Sequence, residues 1–176
     1  LPDTSVWRKG RSIVRWAYRR FPSPTVRERA IMHLRRHPAV ITEFLIREHG
    51  VGAVPVSELS REAFLRNIVN TDYNLCARGR GNWSIRFYET LSLGRIPLFI
   101  DTECALPYDF EVKYQDYCVW VDDLRLENIG DQLLAFHNSL DSAGFKDLQR
   151  ECRRLWEQRL SPHGFFSHFH EHFKRS

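Results

Sequence analysis

Between Cys76 and Asp101 the sequence reads CARGRGNWSIRFYETLSLGRIPLFID, and its polar residues are of types that hold a multiply charged anion. Arg78, Arg80 and Arg86 offer forked guanidinium donors that match phosphate oxygens. Gly79 and Gly81 leave the backbone bare, so main-chain N–H groups can approach a ligand closely. Asn82 and Ser84 are both good N-terminal caps, and a helix starting there presents unpaired amides and the positive end of its dipole. Glu89, five residues past Ser84, falls within the first two turns and suits the hydroxyls of a ribose. A diphosphate fits this set, with amides and arginines aimed at its charge. A tight strand-to-helix turn with solvated arginines is the competing reading of the same residues. The glycine spacing does not match GxGxxG, the acid comes too early for a dinucleotide fingerprint, and no GK[ST] ending follows. Dehydrogenase and P-loop chemistry are thereby disfavoured.

Such a loop needs a strand before it and a helix after it. The sequence predicts a short strand at DYNLCAR, a helix over Ser84 to Leu93, a terminator at Gly94 and an apolar strand at IPLFID. A third strand follows from Tyr117 in YCVWVD, then a helix in LENIGDQLLAFHNSL and a last helix in FKDLQRECRRLWEQRL that stops near Pro162. Upstream, Val26, Ala30, Ile31 and Leu34 recur at helical spacing, and a serine at Ser57 precedes a second helix with Phe64, Leu65 and Ile68 inward. AVITEFLI reads equally as a short strand or an irregular segment. Strands alternating with helices predict an α/β fold, a Rossmann-like parallel sheet flanked by helices. In such sheets ligands bind beyond the carboxyl ends of the strands, where the glycine loop is expected.

The ordered set YNLCARGRGNWSIRFYETLSLGRIPLFID, followed by LPYD, resembles the C-terminal part of exostosin-like glycosyltransferases. The pattern of that family is a strand reading LCPRG, a helix with SxRxxE, then GxIPV and LPxF. Arg78, Gly79, Ser84, Arg86, Glu89, Gly94, Ile96, Pro97, Leu106 and Pro107 stand at those places, while Ala77 replaces the usual proline and Arg95 a frequent cysteine. The resemblance implies the C-terminal domain of a GT-B enzyme, which binds a nucleotide-sugar donor, a UDP-sugar being expected. It implies sugar transfer to a glycan or polysaccharide acceptor with inversion, no essential metal and no tightly bound cofactor. On that account Arg78 and Arg86 are catalytic, assisting the leaving group. Gly79, Arg80, Gly81, Asn82 and Ser84 hold phosphate, and Glu89 holds ribose. An N-terminal acceptor domain, in the same or another chain, would commonly supply the catalytic base. The alternative is a module that binds nucleotide or acidic glycan without catalysis.

Other polar groups invite different chemistry. Asp101, Glu103, Asp122 and Asp123 follow predicted strands and resemble a metal-binding set, but strand-end carboxylates more often cap loops. His163, His168, His170 and His172 alternate with phenylalanines, and the expected picture is a tail packing across the domain, with Phe165, Phe166 and Phe169 as core contacts and no metal. His137, within a helix, is expected to be structural.

The totals bound these readings. A chain of 176 residues with 43% hydrophobic content buries roughly 70% of its unfolded surface, enough for one real core. Residues 21–176 are expected to form the nucleotide-sugar-binding domain, and residues 1–20 a basic lead. The net charge of +4 is local: residues 1–36 hold ten Arg or Lys against Asp3 and Glu28. This face suits a solvated helix surface or peripheral contact with an anionic membrane. Without an RNA or DNA motif, no nucleic acid is expected as partner. The four cysteines lack metal or disulfide spacing, and the sequon at Asn82 falls inside the glycine loop; both suggest a cytoplasmic chain. The Golgi lumen is the alternative if the chain belongs to a type II membrane protein. A start at Leu1 suggests a processed product or a piece of something longer.

Overall fold

The computed structural model describes residues 25–45, 58–79 and 81–173. The basic lead, Ser57 and Arg80 lie outside the described residues. Helix α1 (Val26–Arg36) opens with a reciprocal capping box between Thr25 and Glu28, as the S/T-x-x-E pattern dictates. It buries Ala30 and Leu34. Residues 39–45 are irregular, which resolves the ambiguity of AVITEFLI. Helix α2 (Glu58–Val69) ends where Thr71 Oγ1 donates to the Asn67 carbonyl and Asn74 Nδ2 to that of Ile68, so two terminal carbonyls are satisfied. Its apolar face is narrower than expected: Ile68 is buried, Phe64 half-buried, and Leu65 exposed.

Strands β1 (Tyr73–Cys76), β2 (Ile96–Asp101) and β3 (Val119–Asp122) form a parallel sheet in that order. Tyr73 is in register with Ile96, and Leu98 with Val119. The arrangement is α/β and Rossmann-like, with β2 central and almost wholly buried, as its uninterrupted apolar run requires. Period-two alternation sends Leu98, Ile100, Val119 and Val121 into one core with Ala30 and Leu34. Phe99 and Cys118 face the other core, with Phe87 and Leu91 of helix α3 (Ile85–Ser92). Helix α4 (Ile129–Asn138) covers the first face through Ile129 and Leu133, and helix α5 (Ser142–Leu155) the second through Cys152 and Leu155.

Only the first crossover contains an α-helix. Between β2 and β3, where no helix is predicted, residues 102–118 form a loop with a single 3-10 turn at Tyr114–Asp116. Buried tyrosines organise that loop instead. Tyr114 donates to the Pro107 carbonyl at 2.5 Å, and Tyr108, fully buried in left-handed conformation at φ 57°, donates to that of Phe165. The preceding helical run stops at Leu160, near Pro162 as predicted, and Pro162 also begins a further helix. The run passes through a π-helical turn at Trp156–Leu160. Ser161 then caps helix α6 (Pro162–His168), accepting from the Gly164 amide at 3.0 Å, with Pro162 at the first helical position where no N–H is needed. Helix α6 is short and packs on one side only. Phe165 lies against Tyr108, while Phe166 and Phe169, expected in the core, are exposed. The four cysteines are free; Cys76, Cys118 and Cys152 are buried, and burial pushes the Cys76 and Cys152 thiols up to about 12. Among the described residues no helix is long and apolar enough to cross a membrane.

Gly94 closes α3 in left-handed conformation at φ 60°. Its amide bonds Leu91 O, and that of Arg95 bonds Thr90 O, both at 3.0 Å, which is the Schellman arrangement. A methyl group there would also lie 3.3 Å from the Gln149 carbonyl of α5. Gly94→Ala is therefore expected to destabilise the fold by about 1–2 kcal/mol, measured as a lowered midpoint in urea unfolding with an unchanged m-value.

Candidate functional site

The loop from Ala77 to Ser84 leaves the carboxyl end of β1 and turns into α3. Four hydrogen bonds define it. Arg27, in the first turn of α1, donates from Nη2 to the Ala77 carbonyl at 3.1 Å. The Gly79 amide donates to Trp83 O at 3.2 Å and closes the loop on itself. Asn82 is held from both ends, its Oδ1 accepting from Thr102 Oγ1 at 2.6 Å and its Nδ2 donating to Glu103 O at 3.1 Å. The loop is thereby tied to the end of β2, which the parallel register has placed alongside.

Ser84 takes the N-cap position with extended backbone, φ −126° and ψ 113°, yet its hydroxyl makes no cap bond. It is only 6% exposed, and Oγ has no hydrogen-bond partner among the described residues. A buried hydroxyl left unpaired costs about 1–3 kcal/mol. Beside it stands the start of α3, with no acidic residue in its first turn to offset the dipole. The Phe87 amide is taken up by Ser84 O at 3.3 Å. The amides of Ile85 and Arg86 precede it, in the turn whose N–H groups have no partner within the helix. Arg78, half-buried, makes no hydrogen bond or ion pair with the described residues. Donors of three kinds, a guanidinium, a hydroxyl and main-chain amides, therefore occupy one short segment, and an anion is what they can hold together.

The glycines have different surroundings. A Cβ on Gly79 would meet nothing within 4 Å, so that position opens outward. A Cβ on Gly81 would lie 2.3 Å from Trp83 Nε1, so this glycine makes room for an indole.

Arg86 and Glu89 form a second group. The Arg86 guanidinium stacks over the Phe64 ring of α2 at 4.2 Å and lies 3.9 Å from Glu89 Oε2. Burial pushes the Glu89 carboxyl above the ordinary range, with Arg86 pulling in the opposite direction. Folding thus shifts the balance toward the neutral form relative to the unfolded chain, so this group's stabilising contribution is present at low pH and lost as pH rises through the folded pKa. Arg86 also lines a cavity of about 540 Å3 beside β1, together with Arg27, Asn67, Asn74, Tyr73 and His137.

The strand-end carboxylates cap turns. Asp101 Oδ1 accepts from the Glu103 amide at 2.7 Å and Asp122 Oδ1 from that of Leu124 at 3.0 Å. His168 Nδ1 lies 2.9 Å from Gly164 O, the His172 ring packs on Tyr108, and His137 Nδ1 lies 3.0 Å from the Tyr73 hydroxyl. Among the described residues no group of three or more His, Cys, Asp or Glu is placed to hold a metal ion. Two contributors escape the sequence patterns. Arg27 reads as one more charge on a basic helix, and Thr102 is hidden between Asp101 and Glu103.

No family model matches the chain. A stretch of 101 residues is 26% identical to Exostosin-1 of Drosophila melanogaster, covering 57% of this chain and 13% of that protein. The similarity supports an exostosin-like relationship. The chain spans a small part of this relative's length.

The hydroxyls of Ser84 and Thr102 should respond in opposite senses to removal. Ser84→Ala relieves an unpaired buried group and is expected to raise the stability of the free protein by about 1 kcal/mol, whereas Thr102→Val strands Asn82 Oδ1 and lowers it by about 1 kcal/mol. Urea unfolding of both variants measures this.

Proposed function

We propose that this chain is the donor-binding domain of an exostosin-like glycosyltransferase, in which the segment from Arg78 to Arg86 holds the diphosphate of a nucleotide sugar. The observation that carries the reading is the buried Ser84 hydroxyl, unpaired among the described residues, at the amide-rich start of α3, on the same loop as an Arg78 with no partner among those residues. The similarity to Exostosin-1, whose name marks the family that the motif resembles, supports the same assignment.

In this reading the acceptor oxygen of a glycan forms a bond to the anomeric carbon as the bond from that carbon to the diphosphate oxygen breaks. The electron pair leaves with the nucleoside diphosphate, here a UDP, and the configuration inverts. Arg78 and the amides of Ile85 and Arg86 stabilise the charge that develops on the departing oxygen. Ser84 donates to a non-bridging oxygen, Gly79 leaves the approach clear, and Arg80 adds positive charge. Glu89, as carboxylate, accepts from ribose hydroxyls across the helix from the Ser84 cap. Arg86 bridges the two groups once the diphosphate competes for it. The protein holds no resident metal or cofactor in this scheme, and a separate acceptor domain supplies the base. The alternative, a module that retains nucleotide or acidic glycan without transfer, is favoured by one observation: in the free protein Arg86 is engaged with Phe64 and Glu89.

Calorimetric titration with UDP-glucose and a panel of other nucleotide sugars tests the site. Arg78→Ala is expected to weaken the best binder about tenfold or more, the loss of one charge-assisted contact of about 1.5–3 kcal/mol. Unchanged affinity would refute the assignment. A nucleotide sugar carries a diphosphate diester that does not titrate near neutral pH, so the pH profile reports the protein. Affinity is expected to fall as pH drops through the raised pKa of Glu89, and Glu89→Gln to lose that dependence.

A further inference from the structure

Trp83 stands on the loop just described and has no part in holding the anion. Its side chain is 55% exposed. Its ring makes no aromatic or cationic contact with the described residues, unlike Phe166 and Phe169, whose rings lie against each other. An indole free to swing would be a solvated accident of sequence, but this one is held. The Trp83 carbonyl accepts from the Gly79 amide, the preceding Asn82 is fixed at both ends of its side chain, and the following Ser84 is buried. The pyrrole edge sits against Gly81, at a distance any other residue's Cβ would deny it. The backbone is thus pinned on both sides of an exposed aromatic ring, and one of the two loop glycines makes the space for it.

We propose that Trp83 is a stacking platform for a pyranose ring of the acceptor glycan, a proposal that rests on the donor-site reading of the neighbouring loop. The face of an indole is the negative end of its quadrupole, and the C–H groups on one face of a pyranose present the complementary positive surface. The pyrrole edge is turned to Gly81, and the indole Nε1–H makes no hydrogen bond with the described residues. Small ligands such as nucleotides are enclosed in concave sites. A half-exposed platform at the tip of a loop instead suits a chain of sugars laid over the surface. Trp83 directly precedes the Ser84 cap, so a glycan resting there lies next to the sugar that the diphosphate carries.

The test uses the chain labelled with 15N on its tryptophan indoles. Methyl glycosides of glucose, N-acetylglucosamine and glucuronic acid, and short oligomers of each, are titrated with and without saturating UDP. One indole signal, assigned to Trp83 by its loss in Trp83→Phe, is expected to shift saturably with at least one oligomer. Trp83→Ala is expected to weaken that oligomer tenfold or more, with Trp83→Phe retaining most of the affinity and UDP affinity changing less than threefold in both variants. Saturable glycan binding that leaves the Trp83 signal unmoved, no glycan binding at all, or an equal loss of UDP affinity in Trp83→Ala would overturn the proposal. Failure of UDP to bind the unsubstituted chain would instead strike the donor-site reading, and the two failures are read from separate titrations.

Discussion

Asn82 joins the end of β1 to the end of β2, and the candidate site depends on that junction. Parallel pairing sets Cys76 opposite Phe99 and so brings both carboxyl ends to one edge of the sheet. Thr102 and the Glu103 carbonyl then seize the Asn82 amide from two directions. Gly79, Gly81, Trp83 and Ser84 lie within three residues of Asn82, so fixing this one side chain restricts all of them. Without it, a loop with two glycines would pay most of its conformational entropy only when a ligand arrived, and affinity would fall accordingly.

The same junction explains why the Ser84 hydroxyl is left unpaired. A serine at a helix start ordinarily bonds an amide two or three residues on. Here the chain enters α3 from a loop anchored at Asn82, and the Phe87 amide is taken by the Ser84 carbonyl instead of its side chain. A local cost in stability coexists with a preorganised donor, the trade expected where a ligand completes the hydrogen bonding. Arg78 fits the same logic. Arg86 differs, being held by Phe64 of α2 and by Glu89, whose carboxyl burial pushes toward neutrality.

Much of the frame was legible in the sequence because it rests on local rules. IPLFID is an unbroken apolar run bounded by Gly94 and a carboxylate, and it forms β2 over those same six residues. Gly94 adopts the left-handed conformation that its place after the helix predicts. What the sequence hid depends on distant partners. The helix stop near Pro162 is legible, but the further helix that Ser161 caps is not. The connection between β2 and β3 offers no periodicity to read, since buried Tyr108 and Tyr114 hold it through single hydroxyl bonds to carbonyls far along or just before them. Phe166 and Phe169 looked like core residues by type, but α6 is too short to bury more than the Phe165 side. Within the site, the clustering of Arg78, Gly79, Asn82 and Ser84 follows from adjacency in sequence. The reach of Arg27 to Ala77 and the stacking of Arg86 on Phe64 required the helices to be placed first.

The central claim is that an anion rests on the main-chain amides where β1 turns into α3. Backbone 15N–1H spectra of the chain during titration with UDP-glucose address it most directly. The account predicts that the amide signals of Ser84, Ile85 and Arg86 move furthest and saturate together. A saturable response centred instead on residues around the cavity beside β1, with those three signals stationary, would contradict it.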